Sequence, residues 1–147
     1  MALESTPIMK PESEMDITIR VGGEAGQGLQ YIGSALGRIL SRSGLHVFTH
    51  QDYMSRVRGG HNFYQIQISD RQIHCATEKI DILLALDNNT ITLHRDALND
   101  GGIIVYDQDL TKKAHPGPEY INIPFMDMTE QLNHGQESWQ KSSPHTA

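Results

Sequence analysis

Residues 17–40 read ITIRVGGEAGQGLQYIGSALGRIL and predict a strand, a glycine-rich turn and a helix in immediate succession. The segment 17–21 alternates apolar and polar side chains and is rich in β-branched residues, which is typical of a strand. Apolar residues then recur at spacings of three and four from Leu29 to Leu40, which places them on one stripe of a helix. The Ser-Gly pair at 43–44 predicts the end of that helix. A unit of strand, turn and helix is the start expected of an α/β fold.

The rest of the chain continues the alternation of strands and helices. Further strands are predicted at 45–52, 62–69, 81–86, 101–107 and 119–125. The 62–69 run alternates as a half-exposed strand does, whereas 81–86 is a continuous apolar run, as in strands buried on both faces of a parallel sheet. Asp87 and the two asparagines that follow it offer caps for a helix through about Leu98. We therefore predict an α/β fold with a doubly wound, largely parallel sheet, in one Rossmann-like three-layer domain.

The two ends of the chain lack the patterns of a folded core. Residues 1–15 hold two prolines and three glutamates without apolar periodicity, so we expect a flexible leader. Residues 16–133 are predicted to form the folded domain. Residues 134–147 carry Trp139 as their only large apolar side chain, and we expect a disordered or aberrant tail.

Composition restricts the classes of function. A chain of 147 residues suits one domain. Its formal charge of -6 argues against non-specific nucleic-acid binding and against an anionic membrane surface, both of which need clustered Lys and Arg. No apolar run is long enough to span a bilayer, and the acidic start does not resemble a signal peptide, so we expect a cytoplasmic protein without membrane partners.

Cysteine and histidine spacing predicts no metal site in this chain. The single cysteine, Cys75, cannot supply the thiolates of an iron–sulfur cluster or a structural zinc, and we expect it to be a small buried residue. The eight histidines show none of the spacings of zinc motifs and are expected to be surface or hydrogen-bonded residues. Any cluster must therefore lie on a partner.

Several segments in this order resemble the gamma domain of 2-oxoacid:ferredoxin oxidoreductases, the pyruvate/ketoisovalerate oxidoreductase gamma family. They are GGEAGQG at 22–28 with the helix after it, HQDYMSRVRGGHNFYQIQIS at 50–69, DILLAL with DNN at 81–89, and GGIIVYD at 101–107. The similarity covers about residues 16–133 and is greatest to the 2-oxoglutarate type, in which this domain is fused ahead of the alpha domain.

The resemblance implies a subunit domain of an enzyme that decarboxylates a 2-oxoacid such as 2-oxoglutarate, passes electrons to ferredoxin and forms an acyl-coenzyme A. It implies that the complex uses thiamine diphosphate, Mg²⁺, iron–sulfur clusters and coenzyme A, with thiamine mainly on alpha and beta domains that are this chain's partners. We expect no cofactor held by this chain alone, no catalytic residue in it, and an inactive isolated chain.

The sequence departs from this family after the last predicted strand. Family members usually continue with a longer apolar helical segment, whereas this chain ends in KSSPHTA. We therefore expect a domain truncated at its carboxyl end, whether by an altered reading frame or by excision. An uninterrupted native frame with a stop codon after Ala147 would count against that expectation.

Two glycine-rich loops are candidate contact sites. The turn after the first strand can receive an anion on its backbone N–H groups, although Glu24 opposes this and the spacing is not the dinucleotide fingerprint; the alternative is a tight turn against a neighbouring domain. In the second loop, two arginines can bind coenzyme A phosphates or a carboxylate bidentately; the alternative is an interdomain salt bridge. The resemblance implies that the second loop faces the shared active site. The candidates in these loops are Gly23, Gly26, Gln27, Gly28, Tyr53, Ser55, Arg56, Arg58, Gly59, Gly60 and His61.

Asp87 and Asn88 complete the candidate set, because they follow a buried strand at the edge where open α/β sheets bind ligands. Helix capping explains them equally well. The leading hypothesis is a gamma-type domain that completes a shared cavity. The alternatives are a stand-alone phosphate- or nucleotide-binding module and a purely structural dimerisation module.

Overall fold

The computed structural model describes residues 15–24, 26–53 and 60–131. In chain order the elements are β1 (Asp16–Glu24), α1 (Leu29–Arg42), β2 (His46–Tyr53), β3 (His61–Ser69), β4 (Ile80–Ala85), α2 (Asn88–His94), a 3₁₀ turn (Arg95–Ala97), β5 (Leu98–Tyr106), α3 (Gln108–Thr111), β6 (Tyr120–Asn122) and α4 (residues 125–131). The predicted leader, apart from Met15, and the predicted tail lie outside the described residues.

The strands form one sheet in the order β2-β3-β1-β4-β5-β6. β1 is parallel to β4, β4 to β5, and β5 to β6, whereas β3 is antiparallel to both of its neighbours. Five of the six strands therefore run in one direction, and helices lie on both faces. The predicted α/β class with a doubly wound, largely parallel sheet is confirmed.

Helix α1 covers one face of the β2-β3-β1 half of the sheet. Its apolar stripe contributes Leu36 and Leu40 to a core that contains Tyr64, Ile66 and Ile68 of β3. Ile66 is fully buried, and burial of one such side chain contributes about 1.5–3 kcal/mol. Leu36 and Leu40 of the predicted stripe thus form the contact with the sheet, whereas Ile39, which the spacing also placed on that stripe, is 65% exposed.

The second core lies on the opposite face, beneath α2. It contains Ile80, Leu83 and Ala85 around β4, with Ile91 of α2 and Ile104 of β5. Since β4 is central in the sheet and lies beside β1, the two cores are separated only by the sheet itself. The ends of β1 and β4 are therefore fixed from both faces.

Four local predictions were wrong. The α-helix after β4 ends at His94 and not near Leu98; a 3₁₀ turn continues from Arg95 to Ala97, and Leu98 begins β5 and pairs with Ile80. The last strand stops at Asn122, since Pro124 has no N–H to continue a ladder, and α4 begins at residue 125.

The third error concerns β3, which is not half-exposed. Its polar face is buried as well, because Gln65 accepts hydrogen bonds from Arg20 and Gln67 donates one to Asp16. Cys75 also differs from expectation: its side chain is exposed, in the loop before β4.

Candidate functional site

The candidate residues converge on one edge of the sheet, where β1 and β4 end and β3 begins. Glu24 at the end of β1 pairs with His61 at the start of β3, and Gly23 pairs with Asn62. On the other side of β1, the Leu86 amide donates to the Gly22 carbonyl at 3.0 Å. The turn after β1, Gly60 and the segment after β4 therefore share this edge, which we call the carboxyl edge.

The side chain of Gln27, a residue of the glycine-rich turn, closes this turn with a hydrogen bond. Gln27 Oε1 accepts a hydrogen bond of 2.7 Å from the backbone amide of Glu24, and the backbone amide of Gln27 donates to the Glu24 carbonyl. Gly26 and Gly28 have φ of 97° and 74°, a region that side chains disfavour. A Cβ at Gly23 would press on the Gln27 side chain and lie 3.1 Å from Leu86 Cβ. These glycines are explained by the turn itself.

A cleft of about 280 Å³ lies between this turn and β2–β3, lined by Glu24, Gly26, Gly28, Leu29, Gln30, Gln51 and Asn62. The amino end of α1 opens beside it. Gly28 caps that helix without a side-chain hydrogen bond, and no acidic residue lies in its first turn. Free N–H groups and the helix dipole favour an anion there, whereas the Glu24 carboxylate opposes one.

Asp87 and Asn88 lie at the same edge and have internal partners. Asp87 Oδ1 caps α2, accepting from the Thr90 amide at 2.7 Å and from the Thr90 hydroxyl at 2.9 Å. Asn88 Oδ1 lies 3.1 Å from His115 Nε2. The capping interpretation of Asp87 is therefore confirmed. The second carboxylate oxygen, Asp87 Oδ2, is buried and has no hydrogen-bond partner among the described residues.

Beneath the edge lies a buried polar cluster that sequence reasoning did not identify. Arg20, in the middle of β1, is 8% exposed, and its guanidinium donates to Gln65 Oε1 at 3.0 and 2.6 Å. Its third contact is His94 Nδ1, at 3.1 Å, and it stacks over Phe63 at 4.6 Å from the ring centroid. His94 Nε2 in turn lies 2.8 Å from His61 Nε2. The only sequence signal was a charged residue inside a strand.

Burial keeps both histidines of this cluster neutral. Desolvation, assisted by the charge of Arg20 and by His61, lowers the pKa of His94 from 6.5 to about 4. Desolvation also lowers the pKa of His61, against the opposing effect of the Asp87 carboxylate. His61 is 1% exposed, so this candidate residue contributes to the edge from beneath.

Some predicted positions stay untested. Ser55, Arg56, Arg58 and Gly59 lie outside the described residues. The backbone of Tyr53 ends β2 and pairs with Asn62, close to the cleft.

Three further observations concern metal ions, membrane spans and apolar surface in the described part of the chain. Within residues 15–24, 26–53 and 60–131, no group of three or more His, Cys, Asp or Glu side chains is arranged to hold a metal ion. Nor does any helix in these ranges have the length and apolarity needed to cross a bilayer. An apolar groove of about 360 Å³ lies beside the edge, lined by Ile32, Leu84, Leu86, Phe125, Met128 and Thr129.

Comparison with known proteins points to one family. The sequence model of the family described as pyruvate ferredoxin/flavodoxin oxidoreductase matches residues 18–142. A 2-oxoacid:ferredoxin oxidoreductase subunit alpha from Sulfolobus sp is 30% identical over 60% of this chain and 14% of its own length. The 2-oxoglutarate synthase subunit KorC from Methanothermobacter thermautotrophicus is 33% identical over 65% of this chain and 52% of its own length. The chain thus spans at most about half of either relative.

Solved structures agree with this assignment. The gamma subunit of a keto/oxoacid ferredoxin oxidoreductase from Geobacter sulfurreducens has a TM-score of 0.63 at 28% identity, over 78% of this chain and 64% of its own. The 2-oxoglutarate:ferredoxin oxidoreductase from Magnetococcus marinus has a TM-score of 0.69 at 24% identity, over 83% of this chain and 22% of its own. The second likeness concerns the fold alone.

Proposed function

Because the chain belongs to the pyruvate ferredoxin/flavodoxin oxidoreductase family, we propose that it is a gamma-type domain of a 2-oxoacid:ferredoxin oxidoreductase. In the complex, a 2-oxoacid such as 2-oxoglutarate is decarboxylated oxidatively, the acyl group passes to coenzyme A and the electrons pass to ferredoxin. Thiamine diphosphate, Mg²⁺ and the clusters reside on alpha and beta partners. A chain with one cysteine does not fit a cluster, which usually needs four thiolates. We place the complex in the cytoplasm.

The observation that supports this role most directly is the shared carboxyl edge. The glycine-rich turn and Gly60 flank the paired residues Glu24 and His61, so the turn and the described end of the second loop lie at the same edge of the sheet. Ligands of open α/β sheets bind at this side. The described part of the edge offers backbone N–H groups and an open cleft. Such a surface suits contact with a ligand that is held mainly by another domain.

The apolar groove supports assembly with partners. It is contiguous with the edge, because Leu86 lines the groove and is bonded to Gly22 at the edge. Met128 in the groove wall is 51% exposed, and with the other apolar residues of the lining it forms a contiguous apolar patch of the kind that marks interaction sites. We propose that an alpha or beta domain covers this groove and thereby completes the cavity from the side of α4.

Arg56 and Arg58 give the proposal its sharpest test. We propose that they bind the phosphates of coenzyme A or a substrate carboxylate, since the guanidinium fork matches both. The structure of the Magnetococcus marinus enzyme is described with 2-oxoglutarate, coenzyme A and succinyl-CoA bound. If this chain contacts the same class of ligands in its own complex, its arginine loop lies at the cavity that binds them.

The experiment uses the assembled complex, purified through a tag on this chain. Replacement of one charged hydrogen-bonding group costs about 1.5–3 kcal/mol, so Arg58→Ala should weaken coenzyme A binding by roughly 10- to 100-fold. Arg42→Ala serves as the matched control, because Arg42 is an exposed arginine in the last turn of α1. Unchanged coenzyme A affinity and unchanged turnover in Arg58→Ala would remove the proposed role of this loop. Tight nucleotide binding by the isolated chain would favour the stand-alone module instead.

A further inference from the structure

The buried contacts of Arg20 fix where the protons lie in the polar cluster. A guanidinium can only donate hydrogen bonds, so His94 Nδ1, 3.1 Å from Arg20 Nη1, must accept. A neutral imidazole carries one proton, and that of His94 therefore lies on Nε2. The same nitrogen faces His61 Nε2 at 2.8 Å, where one atom must donate and the other accept. His94 is the donor of this pair.

The chain of donors continues into His61. Since His61 Nε2 accepts from His94, a neutral His61 carries its proton on Nδ1. Protonation of either ring would place two N–H groups face to face, against Arg20 or between the histidines, so the arrangement holds only while both rings are neutral. Because Arg20 can only donate, it sets the donor and acceptor of every hydrogen bond in this series. The last N–H group of the series is that of His61 Nδ1.

This last donor lies next to the carboxyl edge. A Cβ built on Gly22 would lie 3.3 Å from His61 Cε1 and 3.0 Å from Thr90 Oγ1, which is bonded to Asp87 Oδ1. The His61 ring and the Thr90 side chain thus lie on the same side of Gly22. Among the described residues, neither His61 Nδ1 nor Asp87 Oδ2 has a hydrogen-bond partner, although both atoms are buried, so the two do not bond to each other.

We propose that Arg20 is a positioning residue of the carboxyl edge, which fixes the tautomers of His94 and His61 and so holds His61, the residue after Gly60, as an Nδ1–H donor. The buried side chains of Arg20, His94 and His61 thereby connect β1, α2 and the start of β3. His61 is the first residue of β3 and directly follows Gly60, the last residue of the second glycine loop. The relevance of that loop to a ligand rests on the proposed function, but the proton positions do not.

The charged and titratable groups that face the pair come from every neighbouring element. Arg20 on β1 is held by Gln65 on β3 and by the Glu78 carbonyl at 3.4 Å. Asp87, at the amino end of α2, is the acidic group that acts on both histidines. Phe63 packs edge-on against His94, with ring centroids 5.1 Å apart, and excludes water from that side.

The test is nitrogen-15 NMR of the histidine rings in the full 147-residue chain at neutral pH, where long-range correlations distinguish a protonated ring nitrogen from a bare one. The spectrum should show two neutral rings, with the proton on Nε2 of His94 and on Nδ1 of His61. Disappearance of the corresponding signals in His61→Gln and His94→Gln assigns them. A proton on His61 Nε2, or a doubly protonated ring at neutral pH, would overturn the proposal.

Three arginine variants separate positioning from general stability. Arg20→Lys keeps a group that only donates and should retain both tautomers, whereas Arg20→Met removes the donor that confines the His94 proton to Nε2, so that the Nε2–H form of His61 should become populated. Arg20→Met should also shift the backbone amide signals of Gly60 and Asn62. The control variant Arg38→Met, at an exposed position of α1, should leave these signals unchanged. If Arg20→Met does not fold, the wild-type and Arg20→Lys spectra still decide. If Nδ1–H remains the only tautomer of His61 in a folded Arg20→Met, the positioning role is contradicted, and this result does not depend on the coenzyme A assay.

Discussion

Two glycines on one helix should respond oppositely to the same substitution. Gly33 and Gly37 both lie on the buried side of α1, and alanine at either position raises helix propensity by about 1 kcal/mol. Their surroundings differ. A Cβ at Gly33 would overlap the ring of Tyr64, close to where that ring joins the strand, whereas a Cβ at Gly37 would lie 3.6 Å from Thr49 Cγ2 and 3.8 Å from Val47 Cγ1.

The magnitude follows from these distances. At Gly37 the added methyl meets ordinary van der Waals contacts, so Gly37→Ala should stabilise the protein by about 0.5–1 kcal/mol. At Gly33 the Tyr64 ring is only 8% exposed and must move, and overpacking of this kind costs about 1–3 kcal/mol. Because the helix term is common to both variants, the difference between them should be about 1–3 kcal/mol in favour of Gly37→Ala.

Urea denaturation followed by far-ultraviolet circular dichroism measures that difference directly. Both variants should unfold with the slope of the wild type, so that the shift in midpoint reports stability alone. If Gly33→Ala proves as stable as Gly37→Ala, the packing of α1 on β3 described above is incorrect.

Two further predictions concern the carboxyl edge. Asp87→Ala removes the cap of α2 and should cost about 1 kcal/mol in urea denaturation, whereas Asp87→Ser should recover most of that loss; equal stability of Asp87→Ala and wild type would contradict the cap. The pKa of His94 falls from 6.5 to about 4 on folding, so the unfolded chain binds more protons between these values. Stability should therefore be fully present above pH 6.5, decline as the pH falls toward about 4, and level off below; a His94→Gln variant with the same pH dependence as wild type would refute this assignment.

The sequence predicted the fold where local pattern and tertiary contact agree. The stripe of α1 forms its contact with β3, and the continuous run of β4 is central in the sheet. Prediction failed where a contact distant in sequence overrides the local pattern. Leu98 fits a helical continuation, but its pairing with Ile80 recruits it into β5. Likewise the polar face of β3 is buried because Arg20, 45 residues away from Gln65, satisfies it.

The site was predicted in part for the same reason. A glycine-rich turn after a strand is a local signal, and the convergence of the turn, Gly60 and Asp87 on one edge follows from the sheet order. The contribution of Arg20 and His94 could not be predicted, since it arises from the antiparallel pairing of β1 with β3 and the position of α2 over both. No residue spacing in the sequence indicates that these side chains come into contact.

The central claim is that partner domains cover the carboxyl edge, and amide hydrogen exchange tests it most directly. Exchange is compared between the isolated chain and the complex purified through a tag on this chain. Slower exchange in the complex should concentrate at Gly26, Gly28 and Gly60, while Gly44 and Asp70, which follow α1 and β3 at the opposite end of the sheet, exchange as in the isolated chain. Protection confined to Gly44 and Asp70, with the carboxyl edge unchanged, would contradict the account.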